Sequence, residues 1–363
     1  MDADETPTPA QDPATSDVKP RRRGRKVLIG LLACVVALAV IVGGTGFYLQ
    51  NKLDSQLTRI PGAFEGLKDR PARASGEAGK ALNILLMGSD KRDDVADETD
   101  ADDGDGGWVP GLQRSDTLMV LHVAADRKSA TIVSIPRDSW VDVPGYGKNK
   151  INAAFSLAGP SLTVATVEKL TNLRIDHVMV VDWDGFRAIT DTLGGVQVTI
   201  PEKTYDSARK KTWEAGRQTL DGKEALLYVR QRYGLPGGDF DRVKRQQNFL
   251  RAMMQKAGNS GALSSPTRLY ALLDSVTPYL TIDEEWSTGD LRSLALSLRG
   301  LRSNDIDFAT VPIRGTGREG AQSVVYLDQS KAKELWGAML ADDPGTWLEA
   351  NPGGNLPSST KVS

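Results

Sequence analysis

Three groups of charged residues carry the chemistry this sequence can offer. In the first, Arg114, Ser115 and Asp116 precede the apolar run 117–123 (TLMVLHV), while Pro136, Arg137 and Asp138 follow the run 130–135 (ATIVSI). A short polar turn with Asp126, Arg127 and Lys128 joins the two runs, which predicts an antiparallel hairpin whose start and finish share one edge. If the run 82–87 (LNILLM) also pairs antiparallel, Gly88, Ser89, Asp90, Lys91 and Arg92 come to that edge too. Two carboxylates, Asp90 and Asp116, beside Arg92, Arg114 and Arg137 suit Mg²⁺ together with a phosphate-bearing ligand. Loop salt bridges would explain any one of these dipeptides; their convergence argues for a site.

The second group is YVRQRYGLPGGDFDRVKRQQ, residues 228–247. Arg230 and Arg232 are two apart and share a face if the backbone there is extended. The Gly/Pro-rich turn at 234–238 then feeds a helix that Asp239 or Asp241 could cap. Arg242, Arg245 and Gln246 fall on one face of that helix, which continues into Phe249, Leu250, Met253 and Met254 on the buried side. A solvated helix start paired with nearby acids is the plain alternative. Four arginines within sixteen residues exceed what capping needs, and guanidinium forks bind phosphate bidentately in a way that lysine does not. The third group, KNKINAAFSLA at 148–158, sets Lys150 and Asn152 at the start of a helix, as a point charge and an amide for the same anion or as ordinary solvated side chains.

Strand-like runs at 82–87, 117–123, 130–135, 177–182, 196–200 and 307–311 position these groups. Helical patterns near 151–158, 161–171, 184–193, 222–229, 241–257, 288–301 and 329–341 alternate with them. This mixture predicts an α/β fold, a central mixed β-sheet flanked by helices. No internal repeat is present. The acidic stretch with Asp93, Asp94, Asp97, Glu98, Asp100, Asp102, Asp103 and Asp105 lacks the EF-hand order of ligands and reads as a solvated loop.

Residues 1–26 form a disordered, finally basic tail. Val27–Tyr48 is 22 residues without a charge, enough to cross about 30 Å of hydrocarbon as one transmembrane helix. Lys19, Arg21, Arg22, Arg23, Arg25 and Lys26 place the tail in the cytoplasm and everything after Asn51 outside the cell membrane. Ala37, Leu38 and Ala39 resemble a signal-peptidase site, but the apolar run continues past them. Cys34, the only cysteine, sits too early in the run for a lipidation box. Residues 49–81 read as an extracytoplasmic stalk, 82–343 as the folded domain and 344–363 as a flexible tail. With two histidines and no further cysteine, thiol nucleophiles, a histidine triad and a multi-histidine metal site are disfavoured. A net charge of −2 and the absence of an aromatic platform among the arginines argue against nucleic acid.

In order, NILLMGSDKR, RSDTLMVLHV, SIPRDSWV, KINAAF, DTLGGVQV and YVRQR followed by GDFDRVKRQQ resemble the LytR-CpsA-Psr family across roughly residues 82–257. The resemblance implies a membrane-anchored enzyme that uses Mg²⁺ to transfer glycopolymers such as teichoic acid, capsule or arabinogalactan from a polyprenyl-pyrophosphate carrier to peptidoglycan. It also implies an apolar tunnel for the lipid tail beside the sheet. By position, Asp90 and Asp116 match metal-coordinating acids, and Arg92, Arg114, Arg137, Arg230, Arg232 and Arg242 match pyrophosphate ligands. Asp239 matches a general base. The loop 93–113 is long and unusually acidic for the family, and little chain remains for the extra C-terminal domain that some actinobacterial members carry. A lipid-pyrophosphate phosphatase would use the same residues; a transcriptional attenuator is the remaining alternative.

Overall fold

The computed structural model describes residue 52 and residues 54–91, 113–259 and 266–362. The expected tail, the apolar run 27–48, Arg92 and nearly all of the acidic loop lie outside the described residues. Among those described, no helix is long and apolar enough to cross a membrane.

In chain order the first half comprises β1 (Thr58–Ile60), β2 (Leu82–Lys91), β3 (Gln113–Val123), β4 (Ala130–Ser134), β5 (Trp140–Val143), β6 (Gly147–Lys150), α1 (Ile151–Thr171), β7 (His177–Asp182), α2 (Trp183–Thr192) and β8 (Val196–Ile200). Next come β9 (Thr204–Asp206), β10 (Lys211–Trp213), β11 (Gly216–Leu220), α3 (Gly222–Arg230), α4 (Asp239–Asn259), α5 (Pro266–Val276), β12 (Thr281–Asp283) and α6 (Thr288–Ser297). The chain closes with β13 (Ile306–Thr310), β14 (Ile313–Glu319), β15 (Gln322–Leu327), α7 (Gln329–Leu340) and α8 (Pro344–Ala350).

A seven-stranded sheet in the order β1-β12-β7-β2-β3-β4-β13 forms the centre. It is mixed: β2 runs antiparallel to β3 and parallel to β7, and β4 runs antiparallel to β3 and parallel to β13. Alternate residues serve opposite faces, as the pleat demands. Leu85, Met87, Leu118, Val120, Val133 and Val178 pack on Phe155, Val164 and Val167 of α1 and on Leu335 and Trp336 of α7. On the other face, Ile84, Leu86, Met119, Leu121 and Ile132 meet side chains of α2, α4 and α6. Helices thus cover both sides of the sheet, as expected from the alternating pattern. A smaller core forms where β8 and β11 meet Trp213, Tyr228, Val229 and Phe249.

The expected pair of helices at 151–158 and 161–171 is one element with a break, because Ala158 and Gly159 leave helical backbone just before Pro160. Two segments differ from their expected roles. The stretch read as a stalk contributes edge strand β1, and Leu57, Ile60 and Ala63 are buried. Arg70 fastens it by donating to Glu168 through Nε (3.1 Å) and Nη2 (2.7 Å), with its guanidinium over the Phe64 ring at 4.5 Å. The C-terminal stretch read as a tail forms α8, begun by Pro344 behind the Asp343 cap, and it buries Leu348. Pro and Gly in these segments mark starts and turns of packed structure, which composition alone does not separate from a linker.

Candidate active site

Strand pairing brings the first group together. Gly88 pairs with Thr117 while the next residue, Ser89, pairs with Ser115, so Asp116 is the extra residue of a β-bulge in β3. Such an insertion bends the strand and re-aims its side chain. One step further, Asp90 is in register with Arg114. From the end of β4 the chain continues into the loop carrying Arg137, and α1 clamps that loop: Ile151 N donates to the Ser139 carbonyl (2.8 Å) and Asn152 N to the Arg137 carbonyl (3.2 Å). Asn152 therefore acts on the site through its backbone.

Arg137 is the centre of the resulting cluster. Its Nη1 donates to Asp116 Oδ1, its Nε lies 3.7 Å from Asp138 Oδ2, and its Nη2 lies 4.0 Å from Asp239 Oδ1. Asp239 Oδ1 also lies 2.9 Å from Arg242 Nη2, and Lys150 Nζ lies 2.9 Å from Asp138 Oδ1. Burial opposes the charge on Arg137, but Asp116, Asp239 and Asp138 outweigh it and raise the guanidinium's pKa. Arg242 shifts the other way, because burial, with Arg137 and Arg232 nearby, outweighs Asp239. Both remain cations, since guanidinium stays protonated in proteins. Nε of Arg137 and Nε of Arg242 are shielded from water, with no hydrogen-bond partner among the described residues. Donors left unmatched in this way cost stability, and they are what an anion-binding site holds in readiness.

Asp239 heads α4, yet its side chain turns to Arg242 and toward Arg137. Asp241 braces the preceding turn instead, accepting from Gly237 N at 2.7 Å. That turn needs glycine at Gly234, where φ is +78° and a Cβ would stand 2.1 Å from the Tyr205 carbonyl oxygen.

The arginines that spacing had grouped separate. Arg230 is the last helical residue of α3, so it does not share an extended face with Arg232; its guanidinium lies over the Trp183 ring at 5.0 Å. Arg232 is exposed and donates to its neighbour Tyr233 Oη at 3.0 Å. Arg245 corrects the sequence reading most clearly. It is fully buried, donates to Gln231 Oε1 (2.7 Å) and Thr204 Oγ1 (3.3 Å), and lies over Tyr228 at 4.4 Å. A guanidinium enclosed in this way braces the loop and has no face open to a substrate. Gln246 points to neither place; it helps line an apolar cavity.

That cavity, of about 210 Å³, lies between the sheet and helices α2 and α4 and is walled by Leu86, Met119, Met179, Val181, Phe186 and Met253. Its lining includes Gly88 and Thr117, beside the bulge residue Asp116, and Gln246, one turn beyond Arg242. An apolar pocket thus opens next to the acid and guanidinium cluster. Trp183, which also lines it, and Asp138, which links Lys150 to Arg137, carry no sequence signal beyond their neighbours.

A sequence model of the LytR_cpsA_psr family matches residues 50–341. The chain belongs to that family. Among relatives, it is 32% identical to the cell wall biosynthesis protein LcpA of Corynebacterium glutamicum, covering 90% of this chain and 69% of that one. It is 31% identical to the polyisoprenyl-teichoic acid–peptidoglycan teichoic acid transferase TagU of Bacillus subtilis, over 73% and 82%. Among solved structures, B. subtilis TagV superposes with a TM-score of 0.57 at 27% identity, over 72% of this chain and 97% of TagV. The LytR-CpsA-Psr match begins before β1, in keeping with the stretch after Lys52 being part of the folded domain.

Proposed function

We propose that this protein transfers a glycopolymer, with its phosphate, from a polyprenyl-pyrophosphate carrier to peptidoglycan. The observation that carries the reading is the adjacency of a cluster of acids and guanidinium groups to an apolar cavity. A lipid pyrophosphate has that polarity: a long apolar tail joined to a compact anion. The relatives named for cell wall biosynthesis and teichoic acid transfer support the same class of substrate.

In this reaction a wall-sugar hydroxyl oxygen attacks the phosphorus joined to the glycan. The new O–P bond forms as the bond to the polyprenyl phosphate oxygen breaks, and polyprenyl phosphate leaves with that electron pair. Arg137 and Arg242 hold the pyrophosphate and take up its developing charge, which is where most catalysis of phosphoryl transfer lies. Arg230 and Arg232, with Arg114 and Arg92, add donors as the carrier settles. Asp239 takes the hydroxyl proton late, and Lys150 keeps Asp138 in place beside Arg137.

Mg²⁺ fits these residues on charge. Asp116, Asp138 and Asp239 face Arg137, Lys150 and Arg242, so the cluster has no positive surplus with which to offset a pyrophosphate. Asp116, with Asp90 one register step away, would hold the ion through one or two carboxylates, the usual Mg²⁺ arrangement with phosphate oxygens and water, and the ion would neutralise charge there. Incubating the full chain with a polyprenyl-pyrophosphate-linked glycan and a soluble peptidoglycan fragment should yield the phosphodiester adduct by mass spectrometry. Chelation should stop it, as should Asp116→Asn or Asp90→Asn. Release of glycan phosphate to water at the same rate with and without acceptor would identify a phosphatase instead.

The run 27–48 is proposed as the single membrane anchor, with the domain outside. A reporter enzyme active only outside the cytoplasm, fused after Ser363, should then be active; silence with normal expression would reverse the orientation.

A further inference from the structure

Helix α4 separates two concave surfaces. Gln246, Phe249, Leu250 and Met253 close the apolar cavity, while Phe240, Val243, Lys244 and Gln247 form one wall of a second, larger cleft of about 600 Å³. At 3.6 residues per turn these two sets lie on different sides of the helix; Asp239 and Arg242, at its first turn, fall on the side of the apolar cavity, and Phe240, next to Asp239 in the chain, begins the wall of the cleft. On the sheet side the cleft extends along the end of β13, which pairs with β4. Thr310 and Val311 line it, Thr310 pairs with Ser134, and Ser134 stands three residues before Arg137.

The far wall comes from the C-terminal segment that follows the sheet. Trp347 is half-buried there, Asn351 Nδ2 donates to the Trp347 carbonyl (2.9 Å), and Asn355 Nδ2 donates to the Leu348 carbonyl (3.1 Å). Those bonds fix both amides. Oδ1 of Asn355 is shielded from water and has no hydrogen-bond partner among the described residues. Lys331 is exposed at the rim and makes no ion pair among the described residues. The lining mixes apolar side chains with amides and ammonium groups, unlike the almost wholly apolar cavity across α4, and offers too few unpaired cations for a polyphosphate. An aromatic ring, fixed amides and one free ammonium suit a sugar strand, whose ring faces pack on indole and whose hydroxyl, acetamido and carboxylate groups pair with amides and ammonium. Its volume lies within the usual range for ligand sites, about 300–1,000 Å³.

We propose that this cleft binds the acceptor, a glycan strand of N-acetylated sugars. Donor tail and acceptor would then lie on different sides of α4 and meet at its first turn, beside Asp239. This inference rests on the transfer reading for its biological meaning, but glycan binding tests it separately.

Two variants alter the cleft without touching the charged cluster. Gly353→Phe fills it from an exposed position where a Cβ meets nothing within 4 Å, and Lys331→Ala removes the rim ammonium. Binding of a soluble peptidoglycan oligosaccharide to the full chain in detergent is measured by calorimetry without donor, beside donor affinity and acceptor KM. Gly353→Phe should weaken glycan binding and raise acceptor KM by about ten-fold or more. Lys331→Ala should have a smaller effect in the same direction, and both should keep wild-type donor affinity, which also reports intact folding. Failure of the wild type to bind the oligosaccharide, or unchanged binding in both variants, overturns the proposal. Cleft-dependent glycan binding without any transfer supports the cleft and removes the transfer reading instead.

Discussion

Arg137→Ala should lower the rate of transfer by about two to three orders of magnitude, the usual cost of deleting a donor aimed at developing charge in a water-poor site. No other described side chain contacts as many of the acids: Asp116, Asp138 and Asp239 all face this one guanidinium. Removing it leaves three carboxylates around the place where the pyrophosphate must sit, so repulsion adds to the lost donors. Substrate affinity and turnover should therefore fall together. Arg137→Lys should recover only part of the loss, because an ammonium keeps the charge but cannot span the carboxylates with a planar fork. The loop itself should persist, since α1 holds it through the backbone carbonyls of Arg137 and Ser139. Single-turnover transfer and donor affinity, measured on both variants at saturating Mg²⁺, decide the matter. An Arg137→Ala enzyme within about three-fold of wild type would show that the charge is met elsewhere.

Much of this arrangement was legible in the sequence, and the limits have physical reasons. The apolar runs TLMVLHV and ATIVSI and the short polar turn between them located a hairpin, and the hairpin alone brings Asp116 and Arg137 to one edge. The bulge that singles out Asp116 was not legible, because one unmatched residue leaves no mark on the pattern of either strand. Strands β1 and β12, of three residues each, are too short to show alternation. Helical spacing grouped Arg242 with Arg245, yet one faces Asp239 while the other is sealed against Tyr228 and Gln231. What divides them is the small sheet of β9 and β10 beside Arg245, a tertiary neighbour that spacing along one helix cannot reveal. Arg230 went astray for a related reason: α3 runs to its last residue, so the spacing of two that suggests a shared face on a strand no longer applies.

Asp239→Asn should separate rate from binding. The substitution keeps shape and leaves α4 undisturbed, because Asp241, not Asp239, braces the turn before the helix. Its oxygens pair with Arg242 and approach Arg137, so the carboxylate stands among the groups proposed to hold the pyrophosphate without itself attracting an anion. Removing that charge should relieve repulsion and release both guanidinium groups, leaving donor affinity equal to wild type or tighter. The acceptor hydroxyl then loses its proton acceptor, and turnover should fall by about 10²–10⁴-fold, the range for a positioned general base. An amide oxygen remains available for hydrogen bonding, so residual activity should respond little to the change of side chain in binding terms. The measurement sets donor affinity beside single-turnover transfer for Asp239→Asn and Arg242→Ala. Arg242→Ala should lose both, since it grips the anion in the ground state and in the transition state. If Asp239→Asn instead loses affinity as Arg242→Ala does, Asp239 holds the site or the metal together, and the proton acceptor is another group.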